Sequence, residues 1–278
     1  MPPVLYLVDA SVFIFRAYYS IPLEFTDRDG NPVNAVHGFA RFLCDLLDGE
    51  SPAHVAVAFD ESLEQSFRNE IYPAYKANRE PAPEELKRQF GLCRELVRAL
   101  GVAEFGSSRY EADDIIGTLA SLAQRTGLPV TIVSRDKDLT QLVSRHDTYW
   151  DAVADVRYGY DDIEERFGVR PERMADFLAL MGDAVDNIPG VPGVGRKTAA
   201  IPKLKLRGAA FVAQSLREHR EAAFMSRRLT GIACDMPIEV RSHDDLRRQP
   251  PDLAAVDAFS EAQGFGRMLR ERARKLAK

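Results

Sequence analysis

Three short apolar runs, each followed closely by an acid, constrain this chain more than any other feature. Val4-Leu5-Tyr6-Leu7-Val8 leads to Asp9, Val55-Ala56-Val57-Ala58-Phe59 to Asp60, and Val130-Thr131-Ile132-Val133 to Asp136. Continuous apolar runs of this length suit strands of a parallel sheet covered on both faces. Helical periodicity separates them. Residues 34–47 place Val36, Phe39, Leu43 and Leu46 on one stripe, and residues 84–100 do the same with Leu86, Phe90, Cys93 and Val97, stopped by Gly101. A third helix is expected over 111–125, closed by Gly127. Strand and helix in alternation predict a doubly wound α/β domain, whose ligands bind outside the carboxyl ends of the strands. The three acids sit at or just beyond that edge.

The 278 residues suffice for one large or two modest domains with buried cores. After about residue 160 the pattern turns to helices without strands, with a Pro/Gly-rich stretch at 188–195. The expected division is an α/β core over 1–160 and a helical region over 161–278. No apolar run approaches the ~18 residues of a membrane span, and Met1-Pro2-Pro3 lacks a basic stretch leading into an apolar one. The expected setting is therefore reducing and cytoplasmic, away from membranes. Cys44, Cys93 and Cys234 have no paired spacing and read as small core residues rather than a zinc or disulfide framework. The net charge of -5 hides an asymmetry. From Arg196 onward there are 18 Lys+Arg against 10 Asp+Glu, a net of +8, which leaves -13 for the preceding part. An acidic body precedes a basic tail.

The acids themselves fall into groups: Asp9; Asp60; Glu111, Asp113 and Asp114; Asp136 and Asp138; and, in the helical region, Asp183 and Asp186. Any one of them is explained as a turn former or helix cap. Glu111 is harder to explain so, because it lies on the edge of the stripe that should face the sheet, where an unpaired carboxylate is costly. If the sheet gathers these groups, two like charges about 4 Å apart cost roughly 4 kcal/mol at an effective dielectric near 20. A divalent cation answers that repulsion. All-oxygen ligands point to Mg²⁺ or Mn²⁺, and this many acids suffice for two ions and an in-line phosphoryl displacement. General acid-base work by one carboxylate pair is the weaker alternative.

Together these residues resemble a known family. Leu7-Val8-Asp9-Ala10-Ser11, Phe59-Asp60, Phe67-Arg68, Tyr75-Lys76 with Arg79, Glu111-Ala112-Asp113-Asp114, Asp136-Lys137-Asp138-Leu139 and the stretch from Gly182 through Asp183, Asp186 and Gly190 to Gly195 are similar, in order, to the 5′-nuclease (flap endonuclease) family. The amino-terminal nuclease domain of bacterial family-A DNA polymerases, in free-standing form, is the nearest pattern. The resemblance implies a PIN-like parallel sheet flanked by helices, a helical arch at about 61–90, and a helical region carrying a helix-hairpin-helix-like element at about 188–198. It also implies a two-metal site in which Asp9, Asp60, Glu111 and Asp113 serve mainly the first ion. Asp114, Asp136, Asp138, Asp183 and Asp186 complete and support the second. The implied reaction hydrolyses a DNA phosphodiester to a 5′ phosphate and a 3′ hydroxyl.

Arg68, Tyr72, Tyr75 and Arg79 follow a 4-3-4 spacing that one helical face would share, although an ordinary amphipathic helix shows it too. By resemblance this face belongs to the arch and meets single-stranded DNA, with Lys76 and Arg79 beside the scissile phosphate, where their charge acts as catalytic groups alongside Asp113. Pro73 interrupts any continuous helix there. Phe15 matches a position that stacks a base, a core role being equally open. In the hairpin, Gly190, Gly193 and Gly195 let backbone N-H groups approach a duplex phosphate, and Lys197 and Thr198 begin the next helix. The family often places K⁺ there. Pro202 cuts that helix to little more than one turn, which argues against K⁺ and leaves Arg196, Lys197, Lys203, Lys205 and Arg207 as compensating phosphate contacts.

The expected function is thus a structure-specific 5′ nuclease, both flap endonuclease and 5′-3′ exodeoxyribonuclease, acting at 5′ flaps, nicks or ends in replication and repair. Two alternatives compete: a non-catalytic DNA-structure-binding module, which loss of metal-ligand acids would signal, and a PIN-like ribonuclease. A chain of this length leaves no room for a polymerase domain, so a separate polymerase and ligase are the expected partners of a monomeric nuclease.

Overall fold

Six strands form one sheet: β1 (Leu5–Asp9), β2 (His54–Asp60), β3 (Ala103–Ser107), β4 (Val130–Val133), β5 (Thr148–Asp151) and β6 (Val156–Tyr158), in the spatial order β3-β2-β1-β4-β5-β6. The computed structural model describes residues 3–61, 65–200 and 209–277. Strands β1 to β5 are parallel and β6 is antiparallel to β5. The three apolar runs became the central strands β1, β2 and β4, buried along their length except at Asp60. Strands β3, β5 and β6 flank them and are short and mixed in polarity, so no apolar run announces them. Strand order reverses between β1 and β4, the switch point at which open α/β sheets bind ligands.

Helices cover both faces. On one side α1 (Ala10–Ser20), α2 (Asn34–Gly49) and, after the short α3 (Phe67–Ile71), α4 (Glu84–Ala99) bury Ile14, Phe39, Leu43 and Leu96 against Val8, Val57 and Phe59. Gly38 lets α1 and α2 approach closely, since a Cβ there would lie 2.4 Å from that of Ala17. On the other face α5 (Ala112–Arg125) buries Ile115 and Leu119 against Leu5, Leu7 and Ile132. The expected helices at 34–47, 84–100 and 111–125 are all present, within a residue or two at their ends.

The expected helical arch differs. Helix α3 spans five residues, and Tyr72 caps its end just before Pro73. From Pro73 to Asn78 the chain runs in turns, and no helix resumes until Glu84. Proline has no amide hydrogen to donate and its ring clashes with the preceding turn, so Arg68 and Arg79 share no helical face.

After Tyr158 no strand follows among the described residues. Helices α6 (Tyr160–Phe167), α7 (Met174–Met181), α8 (Arg196–Ala199), α9 (Ala209–Glu218) and α10 (Arg220–Thr230) build the helical region. Helices α11 (Leu253–Ala262) and α12 (Arg267–Leu276) were expected in that region too, but they return to the first face of the sheet, where Val256, Phe259, Phe265, Leu269 and Ala273 join the core with Val8 and Phe39. Their apolar stripes need a partner, and α2 and α4 supply it. Part of the basic tail is neutralised on the way, Arg272 pairing with Asp45 and Lys275 with Asp48, while the tail's Glu261 takes Arg28 of the preceding part. No helix of the described residues is long and apolar enough to cross a membrane.

Candidate active site

The carboxyl ends of β1 and β2 and the segments just after β4 converge at the switch point. Asp9 closes β1 and caps α1, its Oδ1 accepting from the Ser11 amide at 3.2 Å, while Ser134 Oγ donates to Asp9 Oδ2 at 2.8 Å. Asp60 closes β2. Its Oδ2 accepts from Ser11 Oγ at 2.6 Å and its Oδ1 from the Ala112 amide at 2.9 Å, which ties β2 to the start of α5. That start carries Glu111 as the N-terminal cap and Asp113 in the first turn. Asp136 caps the 3-10 turn Lys137–Leu142 by accepting from the Asp138 amide at 2.9 Å. Asp183 and Asp186 approach from the helical region on a turn closed by paired Asp183 and Ile188 backbones.

The repulsion expected from such a gathering is present. Burial, then Asp60 and Asp136, push the Asp9 carboxyl up to about 7. Burial raises Asp113 well above the usual carboxylate range, with Asp136, Asp9, Asp60 and Glu111 adding to it. Asp138 is pushed to about 7 by burial and by Asp136, more than Lys137 offsets. Glu111 behaves oppositely: burial pushes it up, but Lys76 and Arg68 together outweigh that and hold it low. Lys76 Nζ lies 2.7 Å from Glu111 Oε2 and 4.0 Å from Asp186 Oδ2, and Arg79 also pairs with Asp186. Lys137 Nζ lies 2.8 Å from Asp183 and 3.1 Å from Asp138.

The residues fit divalent metal. Asp9, Asp60, Glu111, Asp113, Asp136, Asp138, Asp183 and Asp186 supply oxygen donors only, the buried Glu111 Oε1 has no hydrogen-bond partner, and three carboxylates have raised proton affinity that a cation would relieve.

Several sequence expectations are redirected by packing. Asp114, expected with the second ion, is wholly buried and points away from its neighbour Asp113; both of its oxygens take Arg68, at 2.7 and 2.8 Å, and Oδ1 also accepts from the Ala233 amide at 2.9 Å. Arg68, expected on DNA, is equally buried and donates to the Leu229 and Gly231 carbonyls. Two charges this deep are stable only as partners. Tyr75 is buried with Ile188 and Leu229, its hydroxyl donating to Glu111 at 3.2 Å, so it presents no free stacking face, while Tyr72 packs beside it half-buried. Lys76 takes a left-handed backbone (φ 55°), and its amide donates to the Asp186 carbonyl at 3.0 Å, which docks the segment over the acids. Phe15 stays partly exposed on α1, edge-on to Phe90.

In the hairpin Gly190 serves packing, since a Cβ there would lie 2.5 Å from the Met181 backbone. Gly193 has a positive φ of 80° and lies under the exposed Phe211 ring. Gly195 caps α8, where Lys197 is exposed and Thr198 donates its amide to the Gly195 carbonyl. Helix α8 has four residues, in accord with the early stop expected from Pro202. Pro202, Lys203, Lys205 and Arg207 lie outside the described residues.

Sequence reasoning passed over Ser11, Ser134 and Lys137. The signal was available for the serines, each standing one or two residues from a strand-end acid, and for the lysine, which lies between two acids.

Residues 4–168 match the 5′-3′ exonuclease, N-terminal resolvase-like domain, and residues 169–254 the 5′-3′ exonuclease, C-terminal SAM fold. The chain belongs to the 5′-3′ exonuclease family. Membership makes it a nuclease. DNA polymerase I of Bacillus caldotenax is 40% identical over 278 residues, covering 94% of this chain and 31% of the relative. That of Rhizobium leguminosarum is 41% identical over 285 residues, covering 96% and 28%. The 5′-3′ exonuclease chain thus spans less than a third of these relatives' length. In structure it is similar to T5 5′-exonuclease with bound divalent metal ions (zinc), at TM-score 0.66 and 23% identity over 99% of both chains. Flap endonuclease-1 from Methanococcus jannaschii follows the same fold, at TM-score 0.67 and 14% identity over 99% of this chain and 92% of that one. So does the catalytic core of Rad2, solved with a DNA substrate, at TM-score 0.64 and 16% identity over 99% and 92%.

Proposed function

We propose that this chain is a structure-specific 5′ nuclease that hydrolyses DNA phosphodiesters at 5′ flaps, nicks and free ends with two Mg²⁺ or Mn²⁺ ions. The observation that carries the reading is the carboxylate group at the sheet's carboxyl edge, in which Asp9, Asp113 and Asp138 have strongly raised proton affinity from burial and from their neighbours Asp60, Asp136, Glu111 and Asp183. Asp9, Asp60, Glu111 and Asp113 would hold one ion, and Asp136, Asp138, Asp183 and Asp186 the other. Bound there, the ions supply charge that activates water and offsets the negative charge growing on the phosphate and the leaving 3′ oxygen. The chain's own residues do the rest. Ser11 and Ser134 fix the Asp60 and Asp9 oxygens, and the Ala112 amide holds Asp60 against α5. Lys76 and Arg79, now on Glu111 and Asp186, exchange those carboxylates for the scissile phosphate when cations and DNA arrive. Phe15 offers a partly exposed ring on the helix that Asp9 caps, within the reach of a terminal base. Products with a 3′ hydroxyl and a 5′ phosphate would suit a polymerase and a ligase acting next.

Nothing favours the non-catalytic reading, which requires a lost ligand acid. The test is cleavage of a 5′-labelled DNA flap, a matched RNA flap, a blunt DNA duplex and a DNA single strand, each with Mg²⁺ and with chelator. Mg²⁺-dependent release of labelled product from the DNA flap, ahead of the RNA flap and the single strand, is expected. Preference for the RNA flap would make it a ribonuclease, and binding of the DNA flap without cleavage would make it a binding module.

A further inference from the structure

Two of the five histidines meet far from the acids. His54 opens β2 and His243 begins the 3-10 turn His243–Leu246, 189 positions later. With Asp244 they bring three ligand atoms within 4.8 Å of one another. His54 is buried to 4% exposure, and neither ring nitrogen has a hydrogen-bond partner. A buried imidazole left so is costly. His54 Nε2 lies 3.8 Å from Asp244 Oδ1. Tetrahedral ligands 2.0–2.1 Å from a zinc ion stand about 3.3 Å apart, so this pair needs to close by roughly half an ångström. His243 and Asp244 are partly exposed on a single turn and can make that adjustment.

We propose that His54, His243 and Asp244 form a zinc-class metal site at the edge of the sheet opposite the acids, clamping the segment after α10 onto β2. Two imidazoles and one carboxylate, with water in the fourth position, suit Zn²⁺ and not Mg²⁺. Thr126 Oγ1 lies 3.4 Å from His243 Nδ1 and already donates to the Ala123 carbonyl, so toward the ring it accepts. That orients Nε2 of His243 as the ligand. Burial first, then His243 and Arg247, keep His54 below the usual imidazole range and its lone pair free. The segment is already registered on β2, with the Arg248 amide donating to the Ala53 carbonyl at 2.9 Å and Leu246 fully buried. Arg247, 3.9 Å from Asp244 and exposed, would turn outward on binding. Six steps along β2 at about 3.3 Å each put this site roughly 20 Å from Asp60.

The test titrates zinc chloride into Asp113→Ala protein held in millimolar Mg²⁺, by calorimetry and by melting, with and without His243→Ala or Asp244→Ala. One Zn²⁺ should bind the parent and raise its melting temperature. Either added substitution should weaken binding at least about tenfold and abolish the rise. In the otherwise native chain, His243→Ala should leave Mg²⁺-dependent cleavage unchanged. A parent that binds no Zn²⁺, or a His243→Ala form that binds it undiminished, would overturn the proposal.

Discussion

The acids of α2 and the acids of the sheet's carboxyl edge are answered in opposite ways. On α2, Asp45 and Asp48 lie about half exposed and meet Arg272 and Lys275 of the last helix, pairs that solvent makes worth ~0–1 kcal/mol each. At the carboxyl edge eight carboxylates are drawn together and, among the described residues, Lys76, Arg79 and Lys137 answer them directly, with Arg68, already committed to Asp114, 4.0 Å from Glu111. The same chain therefore supplies counter-charge where it is cheap to do without and withholds it where it is most needed. Withheld charge is the signature of a ligand that brings its own. The buried pair Arg68–Asp114 marks the boundary between the two regimes, since it stands one residue from Asp113 and is fully satisfied.

Substitutions can break this contrast in order of size. Asp113→Ala should lower Mg²⁺-dependent flap cleavage by at least about a thousandfold with the far-ultraviolet dichroism retained, because it removes a carboxylate of the proposed metal site. A folded variant with near-native turnover would remove Asp113 from the site. Asp114→Ala should instead act on the fold, leaving Arg68 buried and unpaired at a cost of about 3–5 kcal/mol in denaturant titration. A loss under 1 kcal/mol would mean that water reaches Arg68. Lys76→Ala should reduce kcat by roughly a hundredfold with KM changed less than about threefold, as expected for charge delivered to a developing transition state. Equal losses in both would reduce Lys76 to a tether. Lys275→Ala should cost about 0.5 kcal/mol or less.

What could be read from the sequence follows the same division. Strands β1, β2 and β4 and helices α2, α4 and α5 were legible because burial on both faces, or on one stripe, writes itself into apolar periodicity. Strand β3, with Glu104 inside it, and the flanking β5 and β6 write no such pattern. Position put Asp9, Asp60 and Asp136 at one edge of the sheet, but gathering Glu111, Asp113, Asp138, Asp183 and Asp186 with them rested on the family resemblance, and Asp114 was not separable from that set or from its neighbour Asp113. Adjacent helix residues point about 100° apart, so only the location of Arg68 decides which one enters the site. Arg68 and Tyr75 read as surface residues because arginine and tyrosine usually are partly exposed; their burial depends on Leu229, Ile188 and Asp114, distant in the chain. The return of α11 and α12 to the first face likewise rests on tertiary packing that the charge count could not register.

The contrast is tested most directly by stability as a function of pH and Mg²⁺. Asp9 and Asp138 titrate at about 7 in the folded chain, against ~3.9 for an unfolded aspartate. Between those values the folded state holds more protons, so metal-free stability is greatest below about pH 4 for these groups and falls as pH rises through 7. The loss should total a few kcal/mol, less than the sum of two independent shifts because the carboxylates titrate together. The decisive measurement is the melting temperature at pH 8 of the native chain and of Asp113→Asn, each with and without Mg²⁺. Without Mg²⁺ the variant should melt higher, because it no longer holds a carboxyl where burial and neighbouring acids oppose its charge, and Mg²⁺ should raise the native chain markedly and the variant little. A variant that melts lower without metal and gains as much from Mg²⁺ as the native chain would contradict the account.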